Sequence, residues 1–209
     1  MPETDEEKRR KRERDALLLL FAFLLSDAYH RLTSTIQSYI AGTLGSSWVL
    51  SDTLTEILTD AHSHAAYLGR RLAGVRNPFG SGDVRFGRSV MLGQTRYLAG
   101  LVNDLANEKY EADSGALANR ITLYVKRLRG TSEEAWAVAL PGATLIYWVL
   151  GENENHCPEC RDLAAGSPYR ADSITTTPGS GQTSCLSACR CHLRTTNGEV
   201  CFELPEELP

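Results

Sequence analysis

All six cysteines of this 209-residue chain fall within residues 157–201, and the stretch before them has none. That confinement constrains the fold more than any other feature. A disulfide-stapled secreted domain spreads its cysteines through the fold, whereas one crowded segment marks a local site. The segment opens His156-Cys157-Pro158-Glu159-Cys160, crosses a loop rich in Gly, Ser, Pro and Thr, and resumes at Cys185-Leu186-Ser187-Ala188-Cys189-Arg190-Cys191. A C-x-x-C pair on a tight turn brings both sulfurs to one tetrahedral ion at about 2.3 Å, and a second cluster completes the shell. The loop between the clusters is too polar to bury a core. A metal crosslink offsets that lack, because binding free energy becomes folding free energy. These residues therefore point to Zn2+ held for a structural purpose.

Five cysteines compete for four positions. Cys157 and Cys160 take two of them. Cys189 and Cys191 are two apart and share one face of an extended strand. They chelate together, or one of them yields its place to Cys185. Cys201 reads as a buried small apolar residue, and His156 and His192 stand as reserve ligands. Disulfides and free thiols are the rival states of these cysteines. The enzymatic rival is a thiol–disulfide catalyst, which needs C-x-x-C at the start of a helix after a βαβ pattern. Pro158, the loop beyond it and the lack of such a pattern upstream weigh against it.

The rest of the chain reads as helix. Residues 3–40 lack Gly and Pro and are rich in Glu, Arg, Leu and Ala, so one long helix is expected to end near Gly42. Thr53 with Glu56 reads as a capping box opening a second helix. Leu54, Leu58, Ala61, Ala65, Leu68 and Leu72 then share one face, and Gly74 closes it. Residues 77–82 form a turn. Val90, Tyr97, Leu101 and Leu105, with Met91, Leu98 and Val102, give a third stripe. Leu117, Ile121, Tyr124, Val125 and Leu128 give a fourth, closed by Gly130. Thr131 with Glu134 reads as another capping box, for a short helix to Leu140 that Pro141-Gly142 breaks. Residues 146–150 are β-branched and aromatic, hence a strand. Beyond Asn197-Gly198, residues 199–203 are expected to pair with it as a hairpin. The fold class is mainly α: an elongated helical domain over residues 1–143, a small zinc-held β-rich C-terminal module over residues 144–203, and a loose acidic tail over residues 204–209.

A net charge of −4 excludes a chain that coats nucleic acid with its whole surface, but not a local basic patch. Such a patch exists within residues 8–14. Arg9, Arg10, Lys11 and Arg12 are candidates for contact with phosphates or an acidic partner, against the plainer reading of a solubilising helix end. Arg161, Arg190 and Arg194 could add positive charge around the module. The basic stretch followed by the apolar residues 16–25 resembles the first two regions of a signal peptide. That apolar run is about ten residues, short of the roughly 20 needed to span a bilayer. Asp27 also interrupts any small-x-small cleavage site. A helix that starts charged and becomes buried in a core or partner is expected, with no membrane, cytoplasmic synthesis and reduced thiols. His62 and His64 diverge by about 200° on a helix and read as surface histidines. They are not an H-E-x-x-H pair. Gly80, Gly82 and Gly87 lack the Lys-Ser/Thr of a phosphate loop. Asp104, Glu108, Glu111 and Asp113 read as a solvated acidic face.

One longer order of motifs is familiar. Leu128-Arg129-Gly130-Thr131, Glu134-Ala135 and Trp148-Val149-Leu150 precede Cys157-Pro158-Glu159-Cys160. Leu163-Ala164-Ala165-Gly166-Ser167-Pro168-Tyr169, Thr177-Pro178-Gly179, Thr183-Ser184-Cys185 and Cys189-Arg190-Cys191 follow. Across residues 120–195 this resembles the minor head, or head morphogenesis, proteins of tailed phages. In those proteins a helical body leads into a C-x-x-C … C-R-C segment. The resemblance implies a non-enzymatic virion component, present in the host cytoplasm during assembly. Its implied partners are portal or capsid proteins in an oligomeric assembly, with packaged DNA as a further contact of some members. It maps the cysteine motif onto Cys157, Cys160, Cys185, Cys189 and Cys191. Many members end in His-Pro-x-Cys-Arg-Cys; here Cys185 lies near that His and Ala188 precedes Cys189, which leaves the third ligand open. The alternative function is a zinc-ribbon regulator that binds nucleic acid.

Overall fold

The structure, a computed structural model, describes residues 4–110, 114–152 and 155–201. Helix α1 (Asp5–Ile40) starts at a capping box in which Thr4 Oγ1 accepts from the Glu7 N–H and Glu7 accepts from the Thr4 N–H. It ends just before Gly42, whose φ of 73° suits a residue without a side chain. One stripe of α1 is buried: Leu17, Phe21, Leu25, Ala28, Leu32 and Ile36. By length and apolar content α1 could also cross a membrane.

Helix α2 (Ser47–Leu72) opens earlier than the capping pattern suggests, with Ser46 as its cap. Thr53 lies inside it and donates its hydroxyl to the Val49 carbonyl, one turn back. Gly74 follows its end as expected, with φ of 89°. Helix α3 (Ser81–Ala106) buries the expected stripe except Tyr97, which is 54% exposed. Helix α4 (Gly115–Ala139) corrects a larger expectation. It runs straight through Gly130, and Thr131 is no cap. The Thr131 hydroxyl donates to the Arg127 carbonyl instead. Gly130 is required by packing: a Cβ there would overlap the Gly179 backbone of the loop lying on it. Thr177, Pro178 and Gly179 are buried at that contact.

After α4 comes a small antiparallel sheet in the order β2-β1-β3, with a short helix α5 (Pro158–Ala165) beside it. Strand β1 (Leu145–Val149) is central, between β2 (Tyr169–Arg170) and β3 (His192–Thr195). The expected partner, residues 199–203, is not beside β1. The turn at Gly198 (φ 82°) folds the chain back onto the outer side of β3, where Val200 bridges Arg194. Residues 202 and 203, like the tail 204–209, lie outside the described residues. So do Glu111 and Asp113 of the expected acidic face, whose Asp104 pairs with Lys109 at 2.6 Å.

The core has two parts. One, formed by Leu32, Ile36, Leu54, Leu58, Leu98, Leu101, Leu117, Ile121 and neighbours, fills the end of the helix bundle away from the sheet. The other joins Leu17, Phe21, Leu25, Ala65, Leu68, Leu128 and Trp136 to Ile146, Trp148, Leu193, Cys160, Cys191 and Cys201. Ile146 and Trp148 are two apart on β1, so both face inward. The C-terminal segment therefore shares a hydrophobic centre with α1, α2 and α4. Its loop is polar, but its strands are not.

Candidate metal centre

The sheet delivers the chain to the cysteines. Cys157 caps α5, Pro158 occupies the first turn where a missing N–H costs nothing, and Cys160 follows one turn on. The C-x-x-C pair thus does open a helix. It does not sit in a parallel βαβ unit, because β1 and β2 are antiparallel. The second cluster wraps a single 3-10 turn, Leu186–Ala188, with Cys185 before it and Cys189 after it. Cys191 immediately precedes β3.

These five sulfurs converge. Cys157 Sγ lies 3.5 Å from Cys185 Sγ, and Cys160 Sγ lies 3.6 Å from both Cys185 Sγ and Cys189 Sγ. A tetrahedron of sulfurs around one ion at about 2.3 Å has edges of about 3.8 Å. Two triads meet the proximity that a metal needs: Cys157, Cys160 and Cys185, and Cys160, Cys189 and Cys191. Cys160 belongs to both and is the hub. The clustered cysteines can hold a metal ion. Of the reserve ligands, His156 Nδ1 lies 3.9 Å from Cys191 Sγ, and His192 belongs to β3. Cys201 is fully buried elsewhere and donates to the Ser132 carbonyl at 3.7 Å, with its thiol pushed up by burial.

The protonation of the cluster is uneven. Hydrogen bonding from Cys189 takes the Cys191 thiol down to about 5, against its burial and helped by the Gly151 N–H. Burial pushes Cys160 up, and the bond to Cys191 together with burial pushes Cys189 up. Against its own burial, hydrogen bonds from Thr183 and the neighbouring thiols hold Cys185 down. So many sulfurs this close cannot all ionise unaided, since like charges disfavour each other. A bound cation would remove that conflict by stabilising thiolates together.

Residues not singled out as part of the site from sequence hold it in place. The buried Arg129 of α4 donates to the carbonyls of Cys189 (3.1 Å) and Cys191 (2.7 Å), fastening the second cluster to the bundle. Glu133, one turn on, is fully buried at 3.9 Å from Arg129. Ser184 donates to Glu159 at 2.5 Å, tying the two cysteine segments together beside the site. The only sequence signal for Arg129 was its place in the Leu-Arg-Gly-Thr run, which carries no hint of its target.

Other candidates fall elsewhere. Arg9, Arg10, Lys11 and Arg12 are exposed on the first turns of α1, where Arg10 pairs with Glu6 at 2.7 Å. Arg14 is a structural cation, donating to the Val200 carbonyl at 2.7 Å. Arg161, Arg190 and Arg194 are exposed around the module. His62 corrects the surface reading: it is fully buried between α3 and α4. Gln94 lies 2.6 Å from its Nε2 and the Thr131 hydroxyl 2.8 Å from its Nδ1. Because Thr131 already donates to Arg127, the network assigns the proton to Nδ1. A groove of about 550 Å³ beside Ala66, Phe86 and Val138 has its charge engaged. Arg70 there is held by Asp83 at 2.8 Å and by the Asn77 and Pro78 carbonyls. Comparison with protein-family models, with curated proteins and with solved structures gives no match.

Proposed function

We propose that this chain is a non-enzymatic assembly protein of a tailed-phage head, in which the cysteines bind one structural zinc ion. The observation that carries the zinc reading is the convergence of Cys157, Cys160, Cys185, Cys189 and Cys191 from two distant segments. An all-thiolate tetrahedral set suits zinc. Cys157, Cys160 and Cys185 would hold the ion, with Cys189 or Cys191 as the fourth ligand; bound zinc supplies a rigid crosslink and no reaction. The head role rests on the motif order across residues 120–195, and its partners are portal or capsid proteins within the virion. Arg9, Arg10, Lys11 and Arg12 offer a surface to packaged DNA or an acidic partner.

Elemental analysis of the purified chain tests the metal, with about one zinc per chain expected from a single tetrahedral site. Cys160→Ser should abolish loading and Cys201→Ser should spare it. Equal loading in both would sink the assignment. Mass spectrometry of particles made by the genome encoding this chain tests the head role, and consistent absence from purified particles ends it. The second reading, a zinc-ribbon nucleic-acid binder, draws on the exposed basic arm. It requires DNA affinity that falls steeply with salt and is lost when Arg9, Arg10, Lys11 and Arg12 become Ala.

A further inference from the structure

The buried stripe of α1 leaves an opposite face, and that face is not the polar one expected of a surface helix. Leu19 is 73% exposed, Leu20 54% and Phe23 70%. With Ala16 they make an apolar ridge of two turns, and among the described residues no other element covers it. Residues three and four apart share a helix face, so Arg9 and Arg12 extend the ridge on one side and Asp27 and His30 on the other. The positions 9, 12, 16, 19, 20, 23, 27 and 30 have spacings that read the same from either end.

That order fits a second copy of the same helix running the opposite way. About a twofold axis between Leu19 and Leu20, each Leu19 meets the partner's Leu20. The small Ala16 receives the partner's Phe23, and Arg12 meets the partner's Asp27. Arg12 and Asp27 lie about 22 Å apart along the axis, at 1.5 Å per residue. Both charge pairs therefore flank the apolar centre. Among the described residues Asp27 has only a 3.5 Å contact to Arg31, which also holds Asp60 at 3.0 Å. Asp27 can thus turn outward without stranding Arg31. An isologous contact requires this self-complementarity.

We propose that the outer face of α1 is an antiparallel interface between two copies of this chain, centred on Leu19, Leu20 and Phe23 and framed by Arg12 and Asp27. The inference stands apart from the metal and phage-head readings. A lipid surface is the competing occupant, since cationic and apolar residues on one helix face also suit an anionic bilayer. Asp27 sits poorly against anionic lipid, and a bilayer gives no reason for opposite charges, Arg12 and Asp27, to stand equidistant from the Leu19–Leu20 centre.

Sedimentation of the full chain decides between them. One helix face makes a small interface, so the titration should reach about 1 mM. A reversible dimer is expected. Arg12→Asp and Asp27→Arg should each weaken it about tenfold or more, because each change occurs twice across the axis. The combined swap Arg12→Asp/Asp27→Arg should restore most of the affinity, and Phe23→Glu should leave monomer. These side chains are exposed, and circular dichroism of each variant confirms an intact fold. A wild-type monomer at the highest concentration overturns the proposal. So does a dimer indifferent to these changes, or a swap that fails to rescue. A monomeric chain that co-sediments with phosphatidylcholine–phosphatidylglycerol vesicles through Phe23 overturns it in favour of the bilayer.

Discussion

Two buried ionisable residues pull the stability of this protein in opposite directions as pH changes. Burial raises the Glu133 carboxyl to about 7, only partly countered by the Arg129 charge. The separation of 3.9 Å from Arg129 is long for a charge-assisted bond, in keeping with a carboxyl that is largely protonated below that pH. A raised acid favours the fold below its unfolded value of 4.5 and loses that contribution as pH rises through 7. The full swing is roughly 3 kcal/mol. Glu133→Gln should therefore stabilise the chain at pH 8, by about 1–3 kcal/mol in denaturant titrations. A less stable variant at pH 8 would mean that the ionised pair with Arg129 dominates. His62 acts the other way. Burial, reinforced by the Arg127 charge, lowers its imidazole to about 3 from an ordinary value of 6.5. Its contribution is present above 6.5 and is lost as pH falls, at up to roughly 1.4 kcal/mol per unit. His62→Gln should flatten the acid limb of the stability profile. Thr131→Val, which strands the Nδ1–H, should cost about 1–3 kcal/mol at neutral pH.

At the scale of elements, α4 is the piece on which the C-terminal segment is built. Its Arg129 grips the carbonyls of Cys189 and Cys191, and its Gly130 lets the Gly179 backbone come into contact. The break expected at Gly130 was a misreading of that glycine. In sequence, Gly followed by Thr-x-x-Glu is indistinguishable from a stop and a restart. In space, the glycine is a gap that the neighbouring loop fills, while Thr131 faces His62. Gly130→Ala should keep α4 helical yet push the loop away, lowering stability by about 1–3 kcal/mol. A variant as stable as the native chain, by thermal unfolding, would show that the contact is loose. Gly74→Ala, at a positive φ with open space around it, should cost about 1 kcal/mol through backbone strain alone.

Across the whole molecule, the cysteine cluster and the bundle share one buried core. Cys160, Cys189 and Cys191 belong to the same buried cluster as Phe21, Leu25 and Trp136. On the proposed zinc reading, a strong chelator should therefore lower the unfolding temperature of the helices as well as loosen the cysteine segment. Far-ultraviolet circular dichroism with and without chelator measures this. A helical transition unmoved by metal removal would show that the two parts melt separately. A chain whose small segment borrows the bundle's core should nevertheless retain most of its helix without metal. That differs from isolated zinc fingers, which unfold outright.

What could be read along the chain was local. The long first helix, the apolar stripes of α2, α3 and α4, the strand at Ile146 and the grouping of the cysteines all follow from spacing and composition. Those signals act within a few turns of backbone. The fold class followed from them. Partnerships at long range were not legible. Nothing about His62 or Gln94 shows that they will meet inside the bundle, or that Arg129 will reach cysteines far along the chain. The choice of residues 192–195 over 199–203 as the partner of β1 depends on which segment can bury Leu193 opposite Trp148. A charged or aromatic side chain gains its meaning from the surface it lands on. Only the tertiary structure supplies that surface, because burial and pairing are set by packing between elements that one-dimensional periodicity does not encode.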